Sequence, residues 1–228
     1  MRFLLVAATE LELAPLAGRL TAASHARGAE RLRACTHGSH HVDVLTTGVG
    51  MVATAAWCAR ALAAQPYDLA VNLGVCGSFH EAYPPGAVVN VATDCIPELG
   101  AEDGEQFLSV QQLGLLGADE APWSGGRLVN PHAPVNAEIA GLPAVNGITV
   151  NTVHGNPRSI ATAVDRFNPD VESMEGAAFM YACLTSGVRF AQIRAVSNMV
   201  EKRNRAAWKL TEAVSALNDA GLRLIERA

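Results

Sequence analysis

The opening of the chain already narrows the fold. Residues 3–8 are an unbroken apolar run behind Arg2, and residues 10–20 then place apolar side chains at 13, 16, 17 and 20. A run that short suits a strand buried on both faces. Spacings of three and four suit a helix lying over it. Thr9 is placed to cap that helix, with Glu12 three residues on as its capping-box partner. The alternation recurs, with strands expected over 69–73, 87–93, 148–153 and 190–196. Helices are expected over 52–64, 157–167, 173–186 and 205–226, the last with an apolar face at 210, 214, 217 and 224. Residues 31–37 and 41–47 form a strand pair around Gly38-Ser39. Residues 97–147 hold many Gly, Pro and acidic residues without periodicity. Irregular structure is expected there, with one strand near 127–130, and the segment is the natural candidate for a lid.

Strands alternating with helices predict an α/β fold: one domain over 1–228, three layers α/β/α around a mostly parallel, mixed central sheet. Such folds bind ligands beyond the carboxyl ends of their strands, which selects the loops after residues 8, 47, 73, 153 and 196.

Composition removes several function classes. The 228 residues carry 17 Lys plus Arg against 22 Asp plus Glu, a formal charge of -5, so the basic excess of a nucleic-acid binder is missing. Three Trp, three Tyr and six Phe are too few for a stacking platform, and 50% hydrophobic content argues against disorder. The five Cys, at 35, 58, 76, 95 and 183, are scattered without a CxxC, which supports neither a disulfide framework nor a zinc site. Glu10 and Glu12 interrupt the first apolar run, no signal-peptide pattern follows, and no stretch reaches membrane-spanning length. A soluble, cytoplasmic protein acting on a small molecule is expected, with neither nucleic acid nor membrane as partner.

Five segments could carry chemistry. Gly48-Val49-Gly50-Met51-Val52-Ala53 matches the GxGxxG/A dinucleotide pattern. The acidic residue that pattern needs at the end of the next strand is missing, because Asp68 precedes that strand and 73–76 is Leu-Gly-Val-Cys. A tight strand-to-helix turn is the plainer reading, and an NAD-dependent dehydrogenase is kept only as a remote alternative. His37, His40 and His41 lack metal-ligand spacing and suit a solvated hairpin. Residues 72–78, NLGVCGS, end a strand in glycines that let a ligand approach the backbone. ESMEGAA, 172–178, sets two carboxylates where a strand gives way to a helix, and a Met beside a Glu there is a way to hold a sugar. RAVSN, 194–198, ends the next strand and is followed by the charge-dense EKRNR, 201–205.

Glu10 and Glu12 after the first strand, TGVG, NLGVCGSF, ESMEGAAF and RAVSN occur in an order that resembles the purine nucleoside phosphorylase / 5'-methylthioadenosine nucleosidase superfamily. Within it, VNTVHGN (150–156), ESMEGAAF (172–179) and SNMVEKRNRAAW (197–208) are similar to the futalosine hydrolase branch, which cleaves futalosine to hypoxanthine and dehypoxanthine futalosine on a route to menaquinone. The resemblance implies that Glu12 activates or orients water, that Met174 and Glu175 hold the ribose, and that Asn198 meets the N7/O6 edge of the purine. It implies further that Cys76, Gly77, Thr152 and Val153 line the base site and that Arg194 fixes carboxylate and water. It implies no metal and no organic cofactor, and a homo-oligomer.

Two departures separate the branches. Adenine-releasing relatives carry Asp where this chain has Asn198, and an amide suits a 6-oxopurine: its NH₂ donates to O6 and its C=O accepts a proton on N7. Phosphorylases need arginines to clamp phosphate, and none lies within 66–78, so water is the expected nucleophile. Arg203 and Arg205 are the expected partners of the carboxylate on the tail of futalosine.

Overall fold

The computed structural model describes residues 1–23, 31–132 and 136–228. Its strands are β1 (Arg2–Ala7), β2 (Thr21–Ala22), β3 (Leu32–His37), β4 (His40–Thr46), β5 (Leu69–Ser78), β6 (Val88–Asp94), β7 (Gly100–Asp103), β8 (Gln106–Ser109), β9 (Trp123–Ser124), β10 (Arg127–Val129), β11 (Ala144–Thr149), β12 (Val171–Ser173) and β13 (Phe190–Met199). Its helices are α1 (Glu10–Ala17), α2 (Met51–Ala64), α3 (Ala137–Ala140), α4 (Pro157–Phe167), α5 (Gly176–Ser186) and α6 (Leu210–Glu226), with a 3-10 turn at Arg205–Ala207.

The sheet consists of two parallel blocks. In the first, β4, β1, β5 and β13 lie side by side and parallel. In the second, β6, β11 and β12 do the same. The blocks meet antiparallel twice, β13 against β6 and β12 against β5. The ring β5–β13–β6–β11–β12 therefore closes on itself, which removes two sheet edges. Cys76, Val89, Val91, Val145, Val171 and Val196, drawn from all five of these strands, form one buried cluster. The remaining antiparallel pairs extend the flanks through β3 and β2 on one side and β10 and β9 on the other. The fold is mixed α/β in three layers, as expected. On one face α1 and α6 cover the strands through Leu13, Leu16, Leu73, Ile193, Leu217 and Leu224. On the other, α2 and α5 do so through Cys58, Leu62, Phe179, Met180 and Cys183. Burying each such side chain stabilises the fold by about 1.5–3 kcal/mol.

Several boundaries differ from the sequence-based expectation, and three of them bear on the site. β5 continues five residues past Leu73, to Ser78. Its glycines do not end it, because β13 pairs with it throughout and supplies partners for its backbone. The expected strand over 148–153 is β11, Ala144–Thr149, displaced toward the N-terminus so that Val150–Val153 becomes connection. The expected helix from 173 begins at Gly176, because Val171–Ser173 is β12 and closes the ring. The segment 97–147 holds the β7–β8 hairpin, β9, β10, α3 and most of β11; its residues 133–135 lie outside the described residues.

Candidate active site

The site opens where β5 changes neighbours. β1 pairs with β5 only as far as Asn72, and β12 takes over the same side at Gly77 and Ser78. Between them one edge of β5 lacks a strand partner. Glu12 fills part of this gap: its Oε1 accepts the Val75 N–H at 3.1 Å. Its Oε2 accepts the Thr9 N–H at 2.9 Å and the Thr9 hydroxyl at 3.0 Å. The expected capping-box residue thus bridges the start of α1 to the open edge of β5.

Arg194 on β13 lies opposite Gly74 and is 1% exposed. A Cβ at Gly74 would collide with its guanidinium and come within 3.2 Å of Glu12 Oε1, so glycine is what lets the two groups converge there. Glu175 Oε2 stands 3.7 Å from Arg194 Nη1. Its Oε1 accepts the Gly50 N–H at 3.0 Å. Gly50 has φ +93, open to glycine but strained for other residues. Buried charges must be paired and hydrogen-bonded to be tolerated, and the support behind Arg194 is extensive. Its Nε donates to Gln192 Oε1 at 3.1 Å, and its Nη2 donates to Asn72 Oδ1. Gln192 in turn donates to Asp94 at 3.1 Å, which also accepts the Thr149 hydroxyl at 3.0 Å. Burial pushes the Asp94 carboxyl up to about 6, against the lowering by Gln192 and Thr149.

Three residues further along β5, about 10 Å at a rise of about 3.3 Å per residue, Gly77 borders a cavity of about 320 Å³. Val153, His154, Glu172, Asn198, Arg203 and Trp208 line it as well. Asn198 follows a bulge in β13, where Val196 pairs with Cys76 and Asn198 with Gly77, leaving Ser197 as the extra residue. The Ser197 hydroxyl lies 2.8 Å from Asn198 Oδ1 and 3.1 Å from the Cys76 carbonyl, so one proton serves two acceptors. One Asn198 N–H donates to the Met199 carbonyl at 2.9 Å, and the other has no partner among the described residues. On β12, Glu172 accepts the His154 backbone N–H at 3.0 Å and lies 2.6 Å from its Nδ1. This hydrogen bond, ahead of the opposing effect of burial, raises the His154 pKa above its ordinary value. Larger clefts include one of about 560 Å³ between α4 and the β7–β8 hairpin, which His154 also borders, and one of about 580 Å³ beside α1.

A family model for the phosphorylase superfamily matches residues 2–226. The chain belongs to this superfamily. It is 36% identical over 184 residues to the futalosine hydrolase of Streptomyces coelicolor, covering 78% of this chain and 76% of that one. It is 33% identical to the futalosine hydrolase of Thermus thermophilus, covering 79% and 80%. Among solved structures, futalosine hydrolase of Helicobacter pylori superposes with a TM-score of 0.81 at 12% identity, over 99% of this chain and 97% of that one. S-adenosylhomocysteine nucleosidase of Streptococcus pyogenes gives 0.79 at 20% identity, over 99% and 96%. The protein is an N-glycosidic hydrolase of this superfamily.

In this nucleosidase the anticipated residues fall into two neighbouring groups. Glu12, Glu175 and Arg194 converge around Gly74, while Gly77, Val153, Asn198 and Arg203 line the cavity. Met174 sits half-buried directly before Glu175. Cys76 packs inside the strand ring, where burial lifts its thiol to about 12, and only its carbonyl faces Ser197. Thr152 is exposed and stands outside the cavity lining, because the shift of β11 puts it on the connection to α4. Arg205 lies on the 3-10 turn, also outside that lining. The dinucleotide alternative loses its anion site, since the Gly50 N–H is taken by Glu175, and Asp68 sits at the opposite end of β5, accepting the Arg2 N–H at 2.7 Å. Asn72, Glu172 and His154 lie within the motifs but take their places only in the fold, and Asp94 and Gln192 lie outside the motifs altogether. Buried polar residues in apolar strands were the available signal.

Proposed function

We propose that the enzyme hydrolyses futalosine at its N-glycosidic bond, releasing hypoxanthine and dehypoxanthine futalosine in the making of menaquinone. The observation that carries this reading is Asn198 on the cavity wall with one N–H free. That N–H suits the O6 of a 6-oxopurine, whereas the 6-amino group of adenine offers it no acceptor. Similarity to curated futalosine hydrolases supports the same substrate.

Cleavage builds positive charge on the ribose and negative charge on the leaving base, and groups already fixed in place stabilise both without reorganising. Met174 and Glu175 hold the ribose, Glu175 accepting from its hydroxyls. Glu12 orients the water and takes its proton, and Arg194 keeps the Glu175 carboxylate in position. The backbone at Gly77 and Val153 borders the purine, and Arg203 meets the carboxylate of the tail. The reaction takes place in one domain spanning the chain and needs no cofactor. We further propose a homo-oligomer acting in the cytoplasm. The five cysteines are free and buried, which fits a reducing compartment, and among the described residues no helix is long and apolar enough to cross a membrane.

The deciding experiment is chromatography of the base released from futalosine, inosine and methylthioadenosine, with and without phosphate. Phosphate-independent hypoxanthine from futalosine is expected. Adenine release would overturn the reading of Asn198, and a strict need for phosphate would overturn water as nucleophile. Arg203→Ala should raise KM for futalosine about tenfold, the weight of one charge-assisted hydrogen bond, and leave KM for inosine unchanged. Equal effects on both would remove Arg203 from the tail site.

A further inference from the structure

The departing purine needs a proton, and Asn198 has none to give. Its amide carries one free N–H, enough to polarise O6, and its carbonyl is already contacted by Ser197. An Asp at this position, as in adenine-releasing relatives, would be an acid; this chain has lost it there. Among the other groups lining the cavity, Arg203 never releases its proton, Glu172 is engaged by His154, and Glu201 is exposed to solvent. His154 remains.

We propose that His154 is the general acid of the reaction, protonating N7 of the leaving 6-oxopurine through Nε2 while Glu172 fixes the ring. This rests on the proposed function. Glu172 binds both the backbone N–H and Nδ1 of His154, so ring orientation and tautomer are set by one buried carboxylate. Nδ1 is committed to that contact, which leaves Nε2 without a partner among the described residues, on a ring 16% exposed on the cavity wall. Phe79 packs edge-on against the ring at 6.3 Å and limits its swing. The charged groups around it are mixed. Glu172 on β12 and Glu98 after β6 favour the imidazolium. Glu201 and Arg203 share its cavity, and Glu102, Arg158 and Arg166 line a second cleft that His154 also borders. The hydrogen bond to Glu172 dominates and raises the His154 pKa above its ordinary value, which favours the protonated ring.

The step balances. The C1'–N9 bond breaks and its electron pair stays with the purine. The His154 proton goes to N7, giving neutral hypoxanthine. The water oxygen bonds to C1' and its proton goes to Glu12. Solvent returns a proton from Glu12 to His154, so the net reaction consumes one water.

The test compares futalosine with 4-nitrophenyl riboside, whose leaving group needs no acid. His154→Gln should lower kcat/KM for futalosine about 100-fold, the lower range of general-acid catalysis, and that for the nitrophenyl riboside by less than about threefold. In the wild type, kcat for futalosine should fall on the alkaline side as His154 deprotonates. Glu172→Gln removes the partner that raises the His154 pKa, so that limb should move to lower pH, and in His154→Gln it should vanish. Equal losses on both substrates, or an alkaline limb unmoved by either variant, would overturn the acid role. Wild-type enzyme that releases hypoxanthine from futalosine while His154→Gln is as active removes only this inference. Wild-type enzyme that releases hypoxanthine from neither futalosine nor inosine removes the proposed function, and the acid with it.

Discussion

Both oxygens of Glu12 are engaged in the folded chain, one at the start of α1 and one on the edge of β5. A carboxylate has about four lone-pair sites, so a water can still be held beside these contacts. Glu12→Gln should lower kcat by about 10²–10⁴-fold, the range for losing a general base, with KM little changed. It should also cost about 1 kcal/mol of stability, because an amide NH₂ cannot accept where a carboxylate oxygen did. Steady-state kinetics beside urea unfolding separates the two effects, and a stability loss without a kcat loss would leave Glu12 purely structural. Asp94 offers a second residue-scale prediction. Its folded pKa of about 6 lies above its ordinary 3.8, so the native state binds more protons than the unfolded state between those values. Stability from this group is complete below about pH 4 and falls as pH rises through 6, by on the order of 1.4 kcal/mol for each pH unit that separates the two pKa values. Asp94→Asn should therefore gain on the wild type in urea midpoint between pH 4 and 7; parallel profiles would contradict the buried, raised carboxyl.

At the scale of elements, β5 decides the geometry. Its glycines looked like a strand exit, yet Gly74 and Gly77 are paired with β13. Their lack of a side chain makes room for Arg194 and Glu12 at Gly74 and for Val200 at Gly77. Gly74→Ala should destabilise the fold by about 1–3 kcal/mol through overpacking and depress kcat by displacing Arg194. A variant with unchanged unfolding midpoint and activity would show that the approach is not tight. The same scale explains the misplaced boundaries. Local pattern locates a strand by its apolar run, but its ends are set by which neighbour is left to pair with, and β11, β12 and the second half of β5 find partners far away in sequence.

For the whole molecule, closure of the ring brings residues from distant parts of the chain, 9–12, 50, 72–77, 172–175 and 194–198, to one opening. The homo-oligomer proposed above should run in light scattering at a multiple of the 23.9 kDa chain mass; a species of 23.9 kDa at assay concentration would overturn it. The segment 97–147 marks the limit of pattern reading at this scale. It builds hairpins and a β11 strand whose apolar positions alternate too briefly to register, and it lines a cleft next to His154 rather than the carboxylate cluster.

Residue order and chemical type alone determined the α/β class and the motif set, because apolar periodicity and polar groups at strand ends are local properties; the roles expected of Glu12, Glu175, Arg194 and Asn198 came with the resemblance those motifs carry. Tertiary structure alone decided that Glu172 and Glu175, three residues apart, serve different places, one holding His154 and the other Arg194. It also put Thr152 outside the cavity and Asp94 and Gln192 behind Arg194. The physical reason is pairing: a buried charge takes whatever partner the fold brings to it, and that partner lies up to 125 residues away in the chain.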